Sequence, residues 1–402
     1  MAIQDKIYYI LLIIVAFGIV FAFFGKVNDD EGLWLAENKA LVSGKIPYLD
    51  FPAPHGILMM LIYGNSLILN RLINVILLCT SSWLVYKIVL KNTKSEKAAL
   101  LSSAFFGLNS LVLYGYIITQ TYALTCTLLL SAIYLKNSYL ALLPSFGRLV
   151  FLPFSILYSN KKSFLLLCGY VALILLFPPM KFHFFDFRLS LAGYSISGAG
   201  IAILMIASRL SFIFVPSILG FFAKGIPDMK LYLSYFGVFL LNISVPNPFP
   251  IYFVAAAPFM AIASGTLFKE VKSGWIMLFL VSVAMLEMPV LGRNSLDNSL
   301  QEINENVVYL NEIAKEGDTA SGYLPIIAQT NMRIEKGSEM GFSGWSLTEK
   351  RFPMFNNEVI QKSNYFVIPD WGYESMKKKG MILDNFKLIR NGKFKIYKNE
   401  AK

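Results

Sequence analysis

Apolar positions in this chain fall in long, almost unbroken runs, not in the one-sided stripe of a surface helix or the alternation of a half-buried strand. Nine runs have the length of a bilayer crossing, about 20 residues or fewer where a helix is broken. They are 7–24, 66–90, 98–116, 119–135, 163–177, 198–222, 231–245, 251–268 and 274–290. Between Lys136 and Lys161 the stretch SYLALLPSFGRLVFLPFSILYSN is harder to place. As one crossing it would hold Pro144, Gly147, Arg148 and Pro153 near the middle of the membrane, whereas two short half-spans turning at Gly147 and Arg148 avoid this.

Loop charge decides between the two. With the broken pair, the count is about eleven spans and every lysine-bearing short loop falls on one side: Lys6, Lys87 to Lys97, Lys136, Lys161 and Lys162, Lys224 and Lys230, Lys269 and Lys272. Bases gather on the cytoplasmic side. The N-terminus is therefore read as inside, and the loop after the first span, Arg148, the loop from Lys181 to Arg188 and the C-terminal region as outside. The first run has no small-x-small cleavage site after it and is read as an uncleaved anchor.

Two water-facing regions interrupt the apolar pattern. The first, residues 28–56, reads NDDEGLWLAENKALVSGKIPYLDFPAPHG. It predicts a helix over 31–43 that begins in acid, stops at Gly44 with Pro47 beyond, and lies flat on the outer surface. Residues 55–63 are too short to cross and read as an interfacial or re-entrant helix before the second span. The second region is the tail, 291–402. A helix over 299–314 places Ile303, Val307, Leu310 and Ile313 on one face. Strands follow at 319–323, 365–368, 386–389 and 394–397, the last pair joined by Asn391 and Gly392. The reading is a polytopic α-helical membrane protein with a small external C-terminal α/β domain: residues 1–290 membrane domain, 291–402 external domain.

Composition sharpens this. A chain of 402 residues that is 56% hydrophobic and 15% charged is too apolar for a soluble protein. The net charge of +11 is strewn among short loops, so topology explains it and nucleic acid is not an expected partner. Cys79, Cys126 and Cys168 all lie inside apolar runs as small fillers, with no disulfide framework. No P-loop, nucleophile elbow or Cys/His metal spacing occurs, which argues against ATP-driven transport and hydrolase chemistry.

Acid is concentrated where chemistry is plausible. Up to Val290 the acidic residues are Asp5, Asp29, Asp30, Glu31, Glu37, Asp50, Glu96, Asp186, Asp228, Glu270 and Glu287, and five of these eleven lie within 28–56. Carboxylates beside hydrocarbon are costly unless wet or used. An acidic pair just after the first span, a surface helix and then GKIPYLDFPAPHG resemble the opening external loop of the GT-C superfamily. The likeness is to the branch of protein O-mannosyltransferases and lipid A aminoarabinose transferases, glycosyltransferase family 39-like. His55 stands where that family often carries an aromatic or histidine, but Ile57 follows Gly56 here, a departure from the pattern.

The resemblance implies an inverting glycosyltransferase that moves a sugar from a polyprenyl-phosphate carrier to a protein, lipid or polysaccharide acceptor. It would work at the outer face of the plasma membrane, surrounded by membrane lipid, with no cofactor beyond the lipid-linked donor and no metal. It assigns the base to Asp30, with Glu31 beside it and Asp29 as the alternative, and gives Tyr48, Asp50 and His55 to acceptor or loop positioning. Sugar transfer also needs cations on the departing phosphate. Arg148, Lys181 and Arg188 are the external candidates, each weighed against snorkelling or interfacial anchoring. The competing function is a transporter or flippase of lipid-linked glycans, which would be expected to carry charge through its mid-membrane segments.

Overall fold

The computed structural model describes residues 5–51, 57–60, 62–118, 122–181, 211–224, 229–243, 250–270, 299–339 and 355–402. His55, Arg188, Arg209, Glu287 and the expected run at 274–290 lie outside these residues. The chain is mostly helical, with one small sheet near its end. In order, the principal helices are α1 (Asp5–Phe24), α2 (Asp29–Val42), α3 (Leu67–Thr93), α4 (Glu96–Gly107), α5 (Ser110–Leu113), α6 (Ala123–Leu135), α7 (Leu143–Gly147), α8 (Leu152–Tyr158) and α9 (Lys161–Leu176). They continue with α10 (Ser211–Lys224), α11 (Met229–Ile243), α12 (Ala257–Glu270), α13 (Leu300–Ile313), α14 (Leu324–Ile327), α15 (Asn357–Lys362) and α16 (Asp370–Lys378). The chain divides into two compact units: Met1–Phe23 with Arg71–Arg293, and Phe24–Asn70 with Asn294–Lys402.

In the first unit, the segment Lys6–Phe24 and the helix α3 are long and apolar enough to cross a membrane. The run expected as one crossing over 98–116 is instead a pair of helical segments, Glu96–Gly107 and Ser110–Ile118, bent by 55°. Asn109 is the cause of the bend. Its side chain accepts from Leu111 N at 3.0 Å and Val112 N at 3.1 Å, which caps a new helix just after the end of α4. That helix then loosens into a π-turn over Tyr114–Ile118. Over the described residues the other apolar helices run for 16 residues in α9, 15 in α11 and 14 in α12.

Small polar side chains tie these helices together where water is absent. Ser264 Oγ of α12 donates to Ile213 O of α10 at 2.8 Å, Ser103 Oγ of α4 donates to Ser82 O of α3 at 2.8 Å, and Tyr116 Oη donates to Ser81 Oγ at 3.1 Å. Short side chains allow close backbone approach and satisfy one another in hydrocarbon. Outward faces are apolar instead: Tyr8 and Leu12 on α1 and Leu165, Leu166 and Leu173 on α9 are exposed, as lipid-facing positions should be. Arg71 opens the second long apolar helix from its outer end. It is fully buried and donates Nη1 to Ala22 O at the end of α1, 3.0 Å away.

The second unit joins the first loop to the tail. Five strands, β1 (Thr319–Gly322), β2 (Arg333–Ile334), β3 (Tyr365–Pro369), β4 (Phe386–Arg390) and β5 (Phe394–Asn399), form a sheet in the order β2-β1-β3-β5-β4. The first three are parallel, and β5 and β4 add antiparallel through their hairpin. β2 is only two residues long and carries too little alternation to be read from sequence. Strand β3 is buried along its whole length, which fits its central place and its apolar run. The core beneath the sheet mixes both ends of the chain: Val27, Leu35, Ala36 and Leu67 pack with Ile303, Leu310, Tyr323, Ile326, Val367 and Ile396.

Candidate active site

The acidic helix α2 is built to start abruptly. Asn28 is extended, its Oδ1 accepts from Asp30 N at 2.9 Å, and Glu31 Oε2 reaches back to Asn28 N at 3.0 Å, a reciprocal capping box. Three carboxylates in the first turn also meet the positive end of the helix dipole. The three are not equivalent. Asp29 is exposed, Asp30 is half-buried, and Glu31 is fully buried with its carboxylate engaged in the cap.

Helix α2 does not lie free on a surface, as its imperfect apolar face suggested. Gly32, Trp34, Leu35, Ala36, Glu37, Asn38 and Ala40 are buried along it. It runs beside α14 of the tail, and Lys39 Nζ donates to Thr330 O at 2.6 Å and Ile327 O at 3.4 Å, at and just past the end of that short helix. Burial pushes the Lys39 ammonium down to about 8. The chain then turns at Gly44, whose φ of +83° suits the residue that follows a helix end.

Past this turn, residues 46–51 fold on themselves. Asp50 Oδ2 accepts from Ile46 N at 2.7 Å, Tyr48 N donates to Phe51 O at 3.0 Å, and Tyr48 sits at a φ of +66° with its ring buried. A non-glycine residue at positive φ is held there at a cost of about 1–3 kcal/mol. Lys45 turns inward, its Nζ 3.3 Å from Oε1 of the buried Glu339, whose Oε2 accepts from Gly337 N at 2.6 Å. Glu339 is pushed above the ordinary carboxylate range by burial, against the pull of the backbone amides and of Lys45.

Among solved structures, the chain resembles the crystal structure of ArnT from Cupriavidus metallidurans bound to undecaprenyl phosphate, with a TM-score of 0.59, 10% identity and coverage of 96% of this chain and 97% of that one. The apo form of the same protein matches with a TM-score of 0.59 and 9% identity over 98% of each chain. The chain has the ArnT fold. No protein-family model and no curated protein sequence matches it. The likeness is one of fold, and it extends over almost the whole length of the chain.

The first unit of this ArnT-like chain holds two of the suggested phosphate-binding cations. Arg148 sits at the break between α7 and α8, in an extended conformation with φ −152° and ψ 125°. It is buried, its guanidinium carbon lies 5.1 Å from the centre of the Tyr122 ring, and its Nε has no hydrogen-bond partner. A buried guanidinium held over an aromatic face, with no carboxylate paired to it among the described residues, is suited to an anionic ligand. Lys181 is exposed at the end of a single helical turn, Pro178–Lys181. Among the described residues no three His, Cys, Asp or Glu side chains converge as metal ligands would.

Sequence reasoning missed the residues that grip α2 in this ArnT-like chain: Gly32, Lys39, and the Lys45–Glu339 pair. Each depends on contact with a segment about 290 residues away, and no local period or motif announces such a partner. The one available signal was Lys39 itself, a lysine within a helix otherwise lined by buried positions.

Proposed function

We propose that this protein is a membrane glycosyltransferase that transfers a sugar from a polyprenyl-phosphate carrier to an acceptor at the outer face of the plasma membrane. The observation that carries the reading is the likeness of nearly the whole chain to a fold seen with undecaprenyl phosphate bound. Asp30 is the base. It takes the proton of the acceptor hydroxyl as that oxygen attacks the anomeric carbon, and the carbon–oxygen bond to the phosphate breaks with its electrons passing to the phosphate, which inverts the configuration. Half-burial supports this assignment, because Asp29 is open to water and the carboxylate of Glu31 is already committed to the helix cap.

Arg148 receives the departing phosphate, with Lys181 and Arg188 as further external cations. Its buried, hydrogen-bond-free Nε is the feature that supports this role. Tyr48 and Asp50 hold the loop that follows the acidic helix, and His55 belongs to the same loop by its place in the sequence. The reading requires no metal and no cofactor apart from the donor itself. Acceptor protein, lipid and polysaccharide all remain within it.

Mass spectrometry of surface glycans from a strain lacking the protein names the sugar and the acceptor. Proteoliposomes supplied with that donor and acceptor are then expected to release polyprenyl phosphate, and Asp30→Asn to abolish release while expression and insertion are unchanged. Full activity of Asp30→Asn overturns the role of Asp30. Movement of the lipid-linked sugar across the bilayer without its consumption overturns the enzyme in favour of a flippase.

A further inference from the structure

The guanidinium of Arg148 lies over the face of Tyr122, and both residues are buried, Tyr122 at 1% exposure and Arg148 at 8%. Burying a charge is costly unless something answers it. A carboxylate would do so by neutralising the cation, and none is paired to Arg148 among the described residues. An aromatic face works differently: its quadrupole attracts the cation and takes up no N–H donor. The Nε of Arg148, buried without a hydrogen-bond partner, is one donor left over.

Each partner is fixed by its own segment. Tyr122 stands at the threshold of α6, its carbonyl accepting from Cys126 N at 2.9 Å and from Thr125 Oγ1 at 3.2 Å. Arg148 stands at the break between α7 and α8, where its N donates to Pro144 O at 2.8 Å and its O accepts from Phe151 N at 3.1 Å. The two sides of the break are tied together, since Ser155 Oγ of α8 donates to Ala141 O at 2.5 Å and lies 2.5 Å from Ser145 Oγ of α7. Helices α6 and α7 pack on each other, so ring and guanidinium meet as parts of one packed corner of the first unit. Arginine is rich in rotamers, and one already held in place pays less to grip a ligand.

We propose that Tyr122 is a positioning residue for the lipid-linked donor: its ring holds the Arg148 guanidinium in the orientation that grips the phosphate, without consuming the N–H groups that grip it. Tyr122 acts through Arg148 and not on the phosphate itself. The inference rests on the reading that Arg148 receives that phosphate.

The test is the affinity of the full chain in detergent for undecaprenyl phosphate, with Tyr122→Phe as the reference and one, two or three fluorine atoms then added to the ring of that phenylalanine. Fluorine withdraws negative charge from the ring face and leaves its shape nearly unchanged, so a ring that only fills space gives no trend. Affinity is expected to fall stepwise, by roughly threefold to thirtyfold at three fluorines, at a constant melting temperature. The same series in an Arg148→Met chain is expected to be flat. If Arg148→Met alone binds undecaprenyl phosphate as tightly as wild type, Arg148 does not receive the phosphate and the inference falls with that reading. If Arg148→Met binds more weakly but fluorination changes nothing or tightens binding, the reading stands and Tyr122 does not position the arginine. A trend that persists in the Arg148→Met chain also overturns the proposal, because the ring would then meet the lipid directly.

Discussion

A Cβ placed on Gly32 would lie 2.3 Å from Cδ of Pro325, 2.4 Å from its backbone nitrogen and 2.8 Å from the carbonyl carbon of Leu324. The acidic helix therefore rests backbone against backbone on the start of α14, two residues after Asp30. Because the obstruction is main chain, no side-chain rotation relieves it.

Gly32→Ala is accordingly expected to separate the two helices and destabilise the protein by about 1–3 kcal/mol, the usual cost of overpacking. Thermal unfolding of the full chain in detergent measures it. With Asp30 as base, transfer should fall further than stability alone explains, seen as a lower kcat with the donor KM little changed. An unaltered kcat would separate the seating of this helix from the chemistry.

Lys39 gives a pH dependence with a definite sign. Its ammonium is pushed down to about 8 in the folded chain by burial, against an ordinary value of 10.5. Between those two values the unfolded chain holds the extra proton, so the free energy of unfolding rises with pH across that window. The neutral amine keeps two N–H donors, enough for the carbonyls of Thr330 and Ile327. Wild type and Lys39→Met are expected to differ in the slope of melting temperature against pH between about 8 and 10, the variant lacking the rise.

How far the sequence revealed this arrangement depends on the range of the force involved. The start of α2 was legible within two residues because a cap is local: Asn28 and Glu31 are three positions apart. Gly44 marked its end for the same reason. Strands β3, β4 and β5 were legible from their apolar and turn residues to within two positions at each end. The bend at Asn109 was hidden inside a continuous apolar run, since one buried cap weighs nothing in a hydropathy pattern. The union of the first loop with the tail was not legible at all. It rests on Gly32 meeting Pro325 and Lys39 meeting Thr330, contacts that periodicity cannot encode.

The Lys45–Glu339 pair should respond asymmetrically to substitution. Lys45 is about a third exposed and can be rehydrated, whereas Glu339 is 5% exposed and cannot. Removing the base strands a buried carboxylate; removing the charge of the acid leaves a lysine free to reach water. Lys45→Met is expected to cost about 1–3 kcal/mol more than Glu339→Gln. Since burial raises the Glu339 carboxyl above its unfolded value, the Lys45→Met penalty should shrink as pH falls and the acid takes up a proton. Equal effects of the two substitutions at every pH would mean that the pair contributes through packing alone.

Arg148 distinguishes a phosphate ligand from a residue that merely fills space. Its guanidinium carbon lies 5.1 Å from the Tyr122 ring centre, and its Nε is buried without a hydrogen-bond partner. A lysine at this position keeps the charge but loses both the fork and the Nε donor. If Arg148 holds the donor phosphate, Arg148→Lys should raise the donor KM and Arg148→Met should raise it further. A charged hydrogen bond is worth about 1.5–3 kcal/mol, which corresponds to roughly tenfold to a hundredfold in affinity. A purely structural Arg148 would give the reverse order. The apolar, unbranched Met would pack against Tyr122 without a stranded charge, so Arg148→Met would bind donor at least as well as Arg148→Lys. Donor titration of both variants, with melting temperature recorded alongside, separates the two cases, and an unchanged donor KM in Arg148→Met would remove Arg148 from the phosphate site.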